Sequence, residues 1–487
     1  MKIEKLLDGV EIIKVCVDKE THICDIVSDS RNVGLGSVFV AIYGEKRDGN
    51  DYICNAMEHG AALIVSEKDL APNIPHIKVK NARQSLAVMC SNYYGNPTKD
   101  MKVIAVTGTN GKTSTAWFIY NILISAGKNC GLISTVGCMI NRKEGKYGGG
   151  GATNDIYSAM TTPEPEVLYK IFYDMKRAGC EYIVTEASSH SISQHRLDGT
   201  HIDAGIFTNL SLEHLDFHKS IENYFNTKLS LFEKCKFAII NADDEYGKRV
   251  YEKYRDKSVL CSINDHKGVY ADKIESDENG TRYVLFSDDA TVRINSVICG
   301  KYTVYNTMLA AMCCMKLGIF PDYISDGIRF TERISGRLER YKGLNIYIDY
   351  AHTPYAMENV IKSVRAFSKN KKITVLFGCG GDRDKSKRAE MGKIASELAD
   401  KTVITSDNSR SEDKNEIIKD ILVGIEKDKT HFIIPDRREA IIYAVKSMRE
   451  NEILLLLGKG HETYEINKDG KRHFDEREII EEALSEK

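Results

Sequence analysis

The residues of this chain whose types and spacing could do chemistry fall into three groups. The first is Gly108-Thr109-Asn110-Gly111-Lys112-Thr113, a two-glycine turn that closes on a lysine and a hydroxyl side chain. Backbone N–H groups of such a turn, and of a helix that follows it, cradle phosphates; the lysine neutralises them and the threonine oxygen ligates a divalent cation. The full phosphate-loop pattern is absent, because Val106 stands where its first glycine belongs. The second group is Glu186 with the run Glu213-His214-Leu215-Asp216-Phe217-His218. Carboxylate oxygens hold Mg2+, but spacing alone does not choose among the groups of the run. The third group is Arg383 and Arg410 with Asp407, Asn408 and Glu462. Guanidinium forks bind carboxylates bidentately, whereas carboxylates and an amide carbonyl hold an ammonium, so the set suits an amino-acid zwitterion.

The elements that must position these groups are legible in the apolar pattern. Residues 103–107 form a buried-type strand running into the glycine turn, and Ala116, Ile119, Tyr120, Leu123 and Ala126 give the next segment a helical stripe with Gly127 at its C-terminal end. Further strands at 182–185, 204–208 and 237–240 end in Glu186, Asn209 and Asn241. This rhythm predicts a mostly parallel sheet with helical crossovers. Upstream, the apolar stretches 38–42 and 61–65 flank a helical segment at 52–58, which reads as a small α/β module. The turn formers at 93–100 place a boundary after it. Beyond Gly336, strands at 346–348, 373–377, 402–405 and 453–457 are each followed by polar groups, and ligands in open α/β sheets bind outside the carboxyl ends of strands. The expected fold is therefore α/β with three domains: an N-terminal module at 1–97, a central phosphate-loop domain at 98–334 and a C-terminal doubly wound, Rossmann-like domain at 335–487.

Length and composition bound the partners. A chain of 487 residues suits about three domains of ~100–200 residues each. Lys and Arg number 68 against 70 Asp and Glu, a formal charge of -2, so no bulk field exists to hold nucleic acid or an anionic membrane surface. The aliphatic run at 453–457 is far short of the ~20 residues a membrane span needs, and Met1-Lys2-Ile3-Glu4 carries no signal-peptide pattern, so a cytoplasmic protein acting on small molecules is expected. Thirteen cysteines without a Cys-x-x-Cys spacing read as reduced, buried side chains.

The segment from Val106 to Thr115 resembles the Mur ligase family, ATP-dependent amide-forming enzymes of peptidoglycan synthesis. Asp29-Ser30-Arg31, Thr161-Thr162-Pro163, Glu186-Ala187-Ser188-Ser189-His190, Gln194-His195-Arg196, His214-Leu215-Asp216, Gly336-Arg337-Leu338-Glu339, Asp349-Tyr350-Ala351-His352-Thr353-Pro354, Gly380-Gly381-Asp382-Arg383 and Gly458-Lys459-Gly460-His461-Glu462 follow in the family's order, so the resemblance spans essentially the whole chain. It implies that Ser28, Ser30, Glu45, Lys46 and Arg47 bind the UDP part of a UDP-muramoyl-dipeptide, and that Thr161, Thr162, Ser188, Gln194 and Arg196 bind its muramoyl-peptide part. Gly108, Thr109, Asn110, Gly111, Lys112, Thr113 and Ser114 would hold ATP, with Asn306, Arg337, Asp349 and His352 on its far side. Thr113, Glu186 and His214 would ligate Mg2+, and Lys228 matches the lysine that the family carbamylates to hold a second Mg2+.

By the same resemblance Arg383, Asp407, Asn408, Arg410, Gly458 and Glu462 bind the incoming amino acid. The Asp-Asn-x-Arg arrangement favours meso-diaminopimelate, whose distal carboxylate needs a cation, with L-lysine or another diamino acid as the alternative. The implied reaction is ATP-driven ligation of that amino acid to UDP-N-acetylmuramoyl-L-alanyl-D-glutamate through an acyl phosphate, by a monomer. Three positions depart from the family pattern: Ser409 replaces a proline, Met160 an asparagine and Thr303 an asparagine. A folylpolyglutamate synthetase is a related alternative, against which the Asp29-Ser30-Arg31 module and the Asp407 to Arg410 loop argue. A nucleotide-regulated binding protein without chemistry is an alternative of another class, disfavoured by the retained Lys112, Glu186, His214 and Lys228.

Overall fold

The computed structural model describes residues 1–18, 20–44, 47–144, 160–368, 370–426 and 428–486. Its strands form three large sheets, one in each third of the chain's plan. The first has five strands in the order Ile12–Cys16, His76–Val79, Leu63–Ser66, Ser37–Val40, Asp25–Val27, parallel except for Ile12–Cys16 at one edge. Ser37–Val40 and Leu63–Ser66 are buried at every residue, as parallel strands covered on both faces must be. The helix Ala82–Tyr93 covers this sheet, its first turn capped by the Asn81 side chain accepting from Gln84 N.

Among the described residues the central sheet has eleven strands. Its core runs, in spatial order, Ser258–Ser262, Cys235–Asn241, Ile202–Phe207, Lys102–Thr107, Tyr182–Glu186 and Cys130–Ser134, all parallel. Lys102–Thr107 is in the middle, and its register sets Glu186 opposite Val106 and Phe207 opposite Thr107. The carboxyl ends of these strands therefore open on one edge, beside the glycine turn. Antiparallel strands extend the sheet on both sides, with Gly280–Phe286 and Thr291–Ser296 pairing beyond Val269–Asp277. The sequence reading did not foresee this extension. Thr291–Ser296 alternates exposed and buried residues, so it lacks the continuous apolar run that marks a parallel strand.

The third sheet has the order Glu339–Arg340, Ile346–Asp349, Glu452–Leu457, Lys372–Phe377, Lys401–Ile404, His431–Ile433, parallel except at the first strand. Separate apolar clusters pack on its two faces, one around Met357, Ile361 and Ile417 and one around Ile441, Val445 and Ile480, which makes the domain doubly wound. The strand of this sheet that comes last in the chain, Glu452–Leu457, lies between the first two long parallel ones, so the order reverses there and leaves a crevice. Beneath that crevice Arg437 is paired with Glu476, both essentially sealed from solvent, and donates to Ser406 O at 3.1 Å and Leu457 O at 2.8 Å. A buried ion pair repays its desolvation only through such extra hydrogen bonds, and here they tie two strand ends together. All thirteen cysteines are free and ten are buried, as their scatter implied. Among the described residues no helix is long and apolar enough to cross a membrane.

Candidate active site

The phosphate-loop geometry follows from the central strand. Gly108 takes φ 144°, and a Cβ there would lie 1.9 Å from Thr208 Oγ1, so only glycine lets the turn pass this close to the neighbouring strand end. The helix Lys112–Ser125 starts at once, aiming turn and helix N–H groups at the same space. Lys112 Nζ folds back to donate to Gly108 O at 3.0 Å and Thr109 O at 2.7 Å, and burial lowers its pKa. Thr113 Oγ1 donates to Glu186 Oε2 at 3.1 Å and accepts from Arg337 Nη2 at 3.1 Å. Glu186 is wholly buried and also accepts from Thr135 N at 2.7 Å. Lys228, on the helix Ile221–Ser230, is 1% exposed and donates to Gly108 O at 2.7 Å; burial pushes its amine well below the ordinary lysine range.

One cavity borders this loop and a second adjoins the first. The first, of 350 Å³, is lined by Asn110, Gly111, Ser114, Asn306, Arg337, Asp349 and His352, and also by Asp243, Tyr302, Tyr305 and Tyr355, which the sequence reading did not single out. Tyr305 Oη donates to Asp243 Oδ2 at 2.9 Å. Burial raises the Asp349 carboxyl, which accepts from Leu338 N and Ala351 N. The other cavity, of 580 Å³, is lined by His190, His214, Arg383, Asp407, Asn408, Arg410, Gly458 and Glu462. Glu213, Tyr350, His352 and Thr353 line both, so the two spaces meet at these residues. Glu213 carries its carboxylate 3.8 Å from His214 Nε2 and 3.9 Å from His352 Nε2. Burial would raise its pKa, but the His214, His352, Lys112 and Lys228 charges outweigh that and lower it. The sequence signal for Glu213 was present in the run 213–218, yet nothing in the spacing ranked it above its neighbours.

His214 is pushed down to about 4, mainly by burial and against the pull of Glu213. A neutral imidazole is the form that ligates a metal. Its ring stands edge-on to His190 at 5.0 Å and to Tyr224 at 6.1 Å, and the Tyr224 hydroxyl lies 3.2 Å from Thr109 Oγ1. Among the described residues no three His, Cys, Asp or Glu side chains converge as a metal site. What the loop does gather is an oxygen pair, Thr113 and Glu186, next to the space for phosphate oxygens. Those donors fit Mg2+, which takes one or two protein oxygens and completes its shell with phosphates and water.

In the second cavity Asn408 is held from three directions. Its Oδ1 accepts from Lys459 Nζ at 3.2 Å and Ile466 N at 2.9 Å, and its Nδ2 donates to Glu462 Oε2 at 2.8 Å, which settles the orientation of the amide. Lys459 is fully buried and also meets Glu462 Oε2 at 3.1 Å. This lysine sits inside a recognised segment but was not picked, because its neighbour Glu462 carries the more obvious chemistry. Burial raises Glu462, whereas for Asp407 burial is outweighed by Lys459 and Arg437, which lower it. Arg410 adopts φ 51° and donates through Nη1 to Gly381 O at 2.8 Å. Arg383 is exposed on the cavity wall.

The residues expected around a UDP-muramoyl-dipeptide split into two places, one for its muramoyl-peptide part and one for its UDP part. Arg196 donates to Thr162 O at 2.6 Å and Gln194 Oε1 at 2.7 Å and pairs with Glu164. Thr162 Oγ1 donates to Glu186 O at 2.7 Å, Thr161 Oγ1 accepts from Thr135 Oγ1 at 3.1 Å, and Ser188 caps the helix Ser189–Ser193. This cluster is continuous with the phosphate loop through Glu186 and Thr135. Met160 Sδ accepts from Arg196 Nη1 at 3.5 Å, in place of the amide expected there. On the first sheet, Ser28 N and Oγ donate to Glu166 Oε1 at 3.0 and 2.5 Å, which docks the N-terminal module on the central one. Ser30 begins a 3-10 turn capped by Asp29, and Arg47 is exposed. Glu45 and Lys46 lie outside the described residues. Thr303 Oγ1 turns inward to Cys299 O at 3.1 Å.

This combination of an N-terminal α/β module, a phosphate-loop sheet and a doubly wound domain around one junction defines a three-domain ATP-dependent ligase, and the chain belongs to the Mur ligase family. It matches the Mur ligase family catalytic domain over residues 22–94, the Mur ligase middle domain over 106–314 and the Mur ligase glutamate ligase domain over 336–460. It is 40% identical over 496 residues, covering 100% of both chains, to a UDP-N-acetylmuramoyl-L-alanyl-D-glutamate--2,6-diaminopimelate ligase of Clostridium tetani. A solved structure of a ligase with the same name superposes with a TM-score of 0.71 at 26% identity, covering 100% of this chain and 99% of that one. The MurF ligase of Thermotoga maritima in complex with ADP shares the fold, with a TM-score of 0.61 at 19% identity over 96% of each chain.

Proposed function

We propose that this chain joins meso-diaminopimelate to UDP-N-acetylmuramoyl-L-alanyl-D-glutamate, with ATP cleaved to ADP and phosphate, in peptidoglycan synthesis. The observation that carries the reading is the junction: the nucleotide-sized cavity and the cavity bearing Arg383, Arg410 and Glu462 meet at Glu213, Tyr350, His352 and Thr353. A phosphorylated carboxylate formed at the phosphate loop is thereby open to an amine arriving from the other side. Relatives matching along their whole length carry the diaminopimelate-adding name. In this reading the chain is a cytoplasmic monomer, with the UDP-muramoyl module at 1–97, the ATP domain at 98–334 and the amino-acid domain at 335–487.

A carboxylate is a poor acyl donor, so the reaction runs in two steps. First, an oxygen of the D-Glu γ-carboxylate bonds to the ATP γ-phosphorus as the bond to ADP breaks. The amine nitrogen of diaminopimelate then bonds to the acyl carbon, a tetrahedral intermediate collapses with loss of phosphate, and the amine gives up a proton. Lys112 unfolds from the Gly108 and Thr109 carbonyls to meet the β- and γ-phosphates, Thr162 and Arg196 orient the muramoyl-peptide, and Asn306, Arg337, Asp349 and His352 hold the nucleotide. Thr113, Glu186, His214 and a carbamylated Lys228 would hold Mg2+, which when bound neutralises charge on the transferring phosphoryl group. The depressed amine of Lys228 supports the carbamate, because only the neutral amine adds carbon dioxide. Arg383 and Arg410 receive the distal carboxylate, while Asp407, Asn408, Gly458 and Glu462 receive the ammonium end. The test is phosphate release by purified protein with ATP and UDP-muramoyl-dipeptide, comparing meso-diaminopimelate, L-lysine and no amine. Release requiring meso-diaminopimelate is expected; equal or better turnover of L-lysine would overturn the substrate, and release without any amine-dependent product would overturn the ligase.

A further inference from the structure

The two arginines that face the amino-acid cavity stand on two different loops, and neither loop is held by regular structure. Arg383 follows the strand Lys372–Phe377, and Arg410 follows Lys401–Ile404. Both side chains converge over Gly380, where a Cβ would lie 2.9 Å from Arg410 Nη1 and 3.8 Å from Arg383 Cγ. Their spacing is therefore the spacing of the loops. Ser409 carries no ring to fix its φ, so something outside the cavity must set that distance.

The outside element is an ion pair built on a buried arginine and a partly exposed glutamate. Arg388, in the first turn of the helix Ser386–Leu398, has a side chain 1% exposed. Its Nη2 and Nη1 donate to Glu412 Oε1 at 2.9 Å and Oε2 at 3.0 Å, a bidentate fork, and Nη2 also reaches Gly380 O at 3.3 Å. A third carboxylate oxygen, from Asp420, takes Nη1 at 2.9 Å. Glu412 Oε1 accepts in addition from Asp382 N at 2.6 Å, so one carboxylate grips both the arginine-bearing loop at 380–383 and its own loop. The stitch continues through Ser411, whose Oγ and N donate to the Asp382 carboxylate at 2.6 and 3.2 Å, and through Gly381 N donating to Asn408 O at 2.9 Å. A Cβ on Gly381 would stand 1.9 Å from Ser409 O, so the loops touch backbone to backbone.

Neither Arg388 nor Glu412 lines the cavity. We infer that the Arg388–Glu412 pair is a positioning element that sets the distance between Arg383 and Arg410 and so makes the pocket select an amino acid with a distal carboxylate. The inference rests on reading this cavity as the diaminopimelate pocket. A planar two-oxygen anion needs its donors placed to within a fraction of an ångström, whereas an amino acid lacking that carboxylate does not register the spacing. The pair thus acts on one end of one substrate and leaves the nucleotide and muramoyl sites alone.

The experiment compares the full-length enzyme with Glu412→Gln, Glu412→Asp and Ser411→Ala, measuring kcat and KM for meso-diaminopimelate, ATP and UDP-muramoyl-dipeptide, kcat/KM for L-lysine, and thermal midpoint. Glu412→Gln is expected to raise the KM for meso-diaminopimelate about tenfold, with kcat, the other two KM values and L-lysine turnover within about twofold of wild type. Glu412→Asp, which keeps the charge, recovers part of the loss. Should Glu412→Gln fail to fold, Ser411→Ala loosens the same stitch without removing the ion pair and shifts the same KM by about two- to threefold. An unchanged meso-diaminopimelate KM in a folded variant, or an equal fall in L-lysine turnover, would overturn the positioning role. Wild-type enzyme that uses L-lysine and not meso-diaminopimelate would overturn the substrate reading itself, and that result is seen before any variant is made.

Discussion

The phosphate loop and the proposed amino-acid pocket would both hold anions, and they are built in contrasting ways. In the loop, Gly108 to Thr113 are consecutive, the strand and helix flanking them are rigid, and the anion is met by backbone N–H groups whose direction the helix start fixes. In the pocket, Arg383, Asp407, Arg410 and Glu462 come from three separate loops, each following a different strand of the third sheet, and their directions depend on side chains that never touch the cavity. Lys459 orients Asn408 and Glu462, Arg437 ties Ser406 to Leu457, and Arg388 ties the loop at 380 to the loop at 412. A site made of contiguous backbone is robust to change in its surroundings. A site made of side chains on separate loops can change its ligand by small adjustments, but it needs a buried polar frame in which every charge is paired.

The contrast can be broken most severely at the loop. Lys112→Ala is expected to remove ATP-dependent phosphate release by roughly 10³-fold or more, since it deletes the cation facing the transferring phosphoryl group; turnover near wild type would show that another group does this work. At the junction, Glu213→Gln keeps the shape but removes a charge flanked by His214 and His352. A loss of about 10²-fold in kcat is expected, with the KM values for ATP and diaminopimelate little changed because the residue belongs to neither end alone. In the pocket, Arg410→Ala should shift preference from meso-diaminopimelate towards L-lysine by about 10- to 100-fold, the range for one charge-assisted hydrogen-bonded pair. Unchanged selectivity would mean that Arg383 alone reads the distal carboxylate.

The smallest effect expected is on stability. Bonds from Arg388 first, then from Asp382 N, hold the Glu412 carboxyl at about 2, against 4.5 for the free group. Because the folded value is the lower one, the carboxylate stabilises the fold fully above pH 4.5, and that contribution is lost as the pH falls towards 2. The urea midpoint of wild type should therefore exceed that of Glu412→Gln by a constant margin between pH 5 and 8, and the margin should shrink below pH 4.5. A margin that stays constant down to pH 3 would show that the side chain acts through packing and not through charge.

How much of this was legible beforehand follows the same division. The phosphate-loop strand and helix, the order of the parallel strands' polar ends, and the four functional segments after Gly336 could be read directly, because each is a local pattern of apolar periodicity followed by a turn. The antiparallel strands between residues 269 and 296 could not, since one-faced strands carry only an alternating signal. Glu213 lay in a recognised run, but its importance comes from His352, which is far away in the chain and close only in the fold. Nothing in the spacing marks Lys459 and Arg388, because lysines and arginines on the surface outnumber those that are buried and burial is not a property of sequence spacing; Glu412 gains its weight only from buried Arg388, which the fold brings to it.

The sequence by itself determined the kinds of chemistry available: a phosphate cradle with a lysine, metal-type oxygens and imidazoles, and an arginine–carboxylate set for a zwitterion, each at the end of a strand. Residue types and short-range periodicity suffice for that, because they act over one turn or one strand. The tertiary structure alone decided that the two cavities share a junction, that Lys228 is buried against Gly108, and that buried Arg388 meets Glu412 beside the two arginine-bearing loops. Those facts depend on the order in which parallel strands lie side by side and on the low-dielectric interior between them, where a charge persists only when partners from distant parts of the chain are brought to meet it.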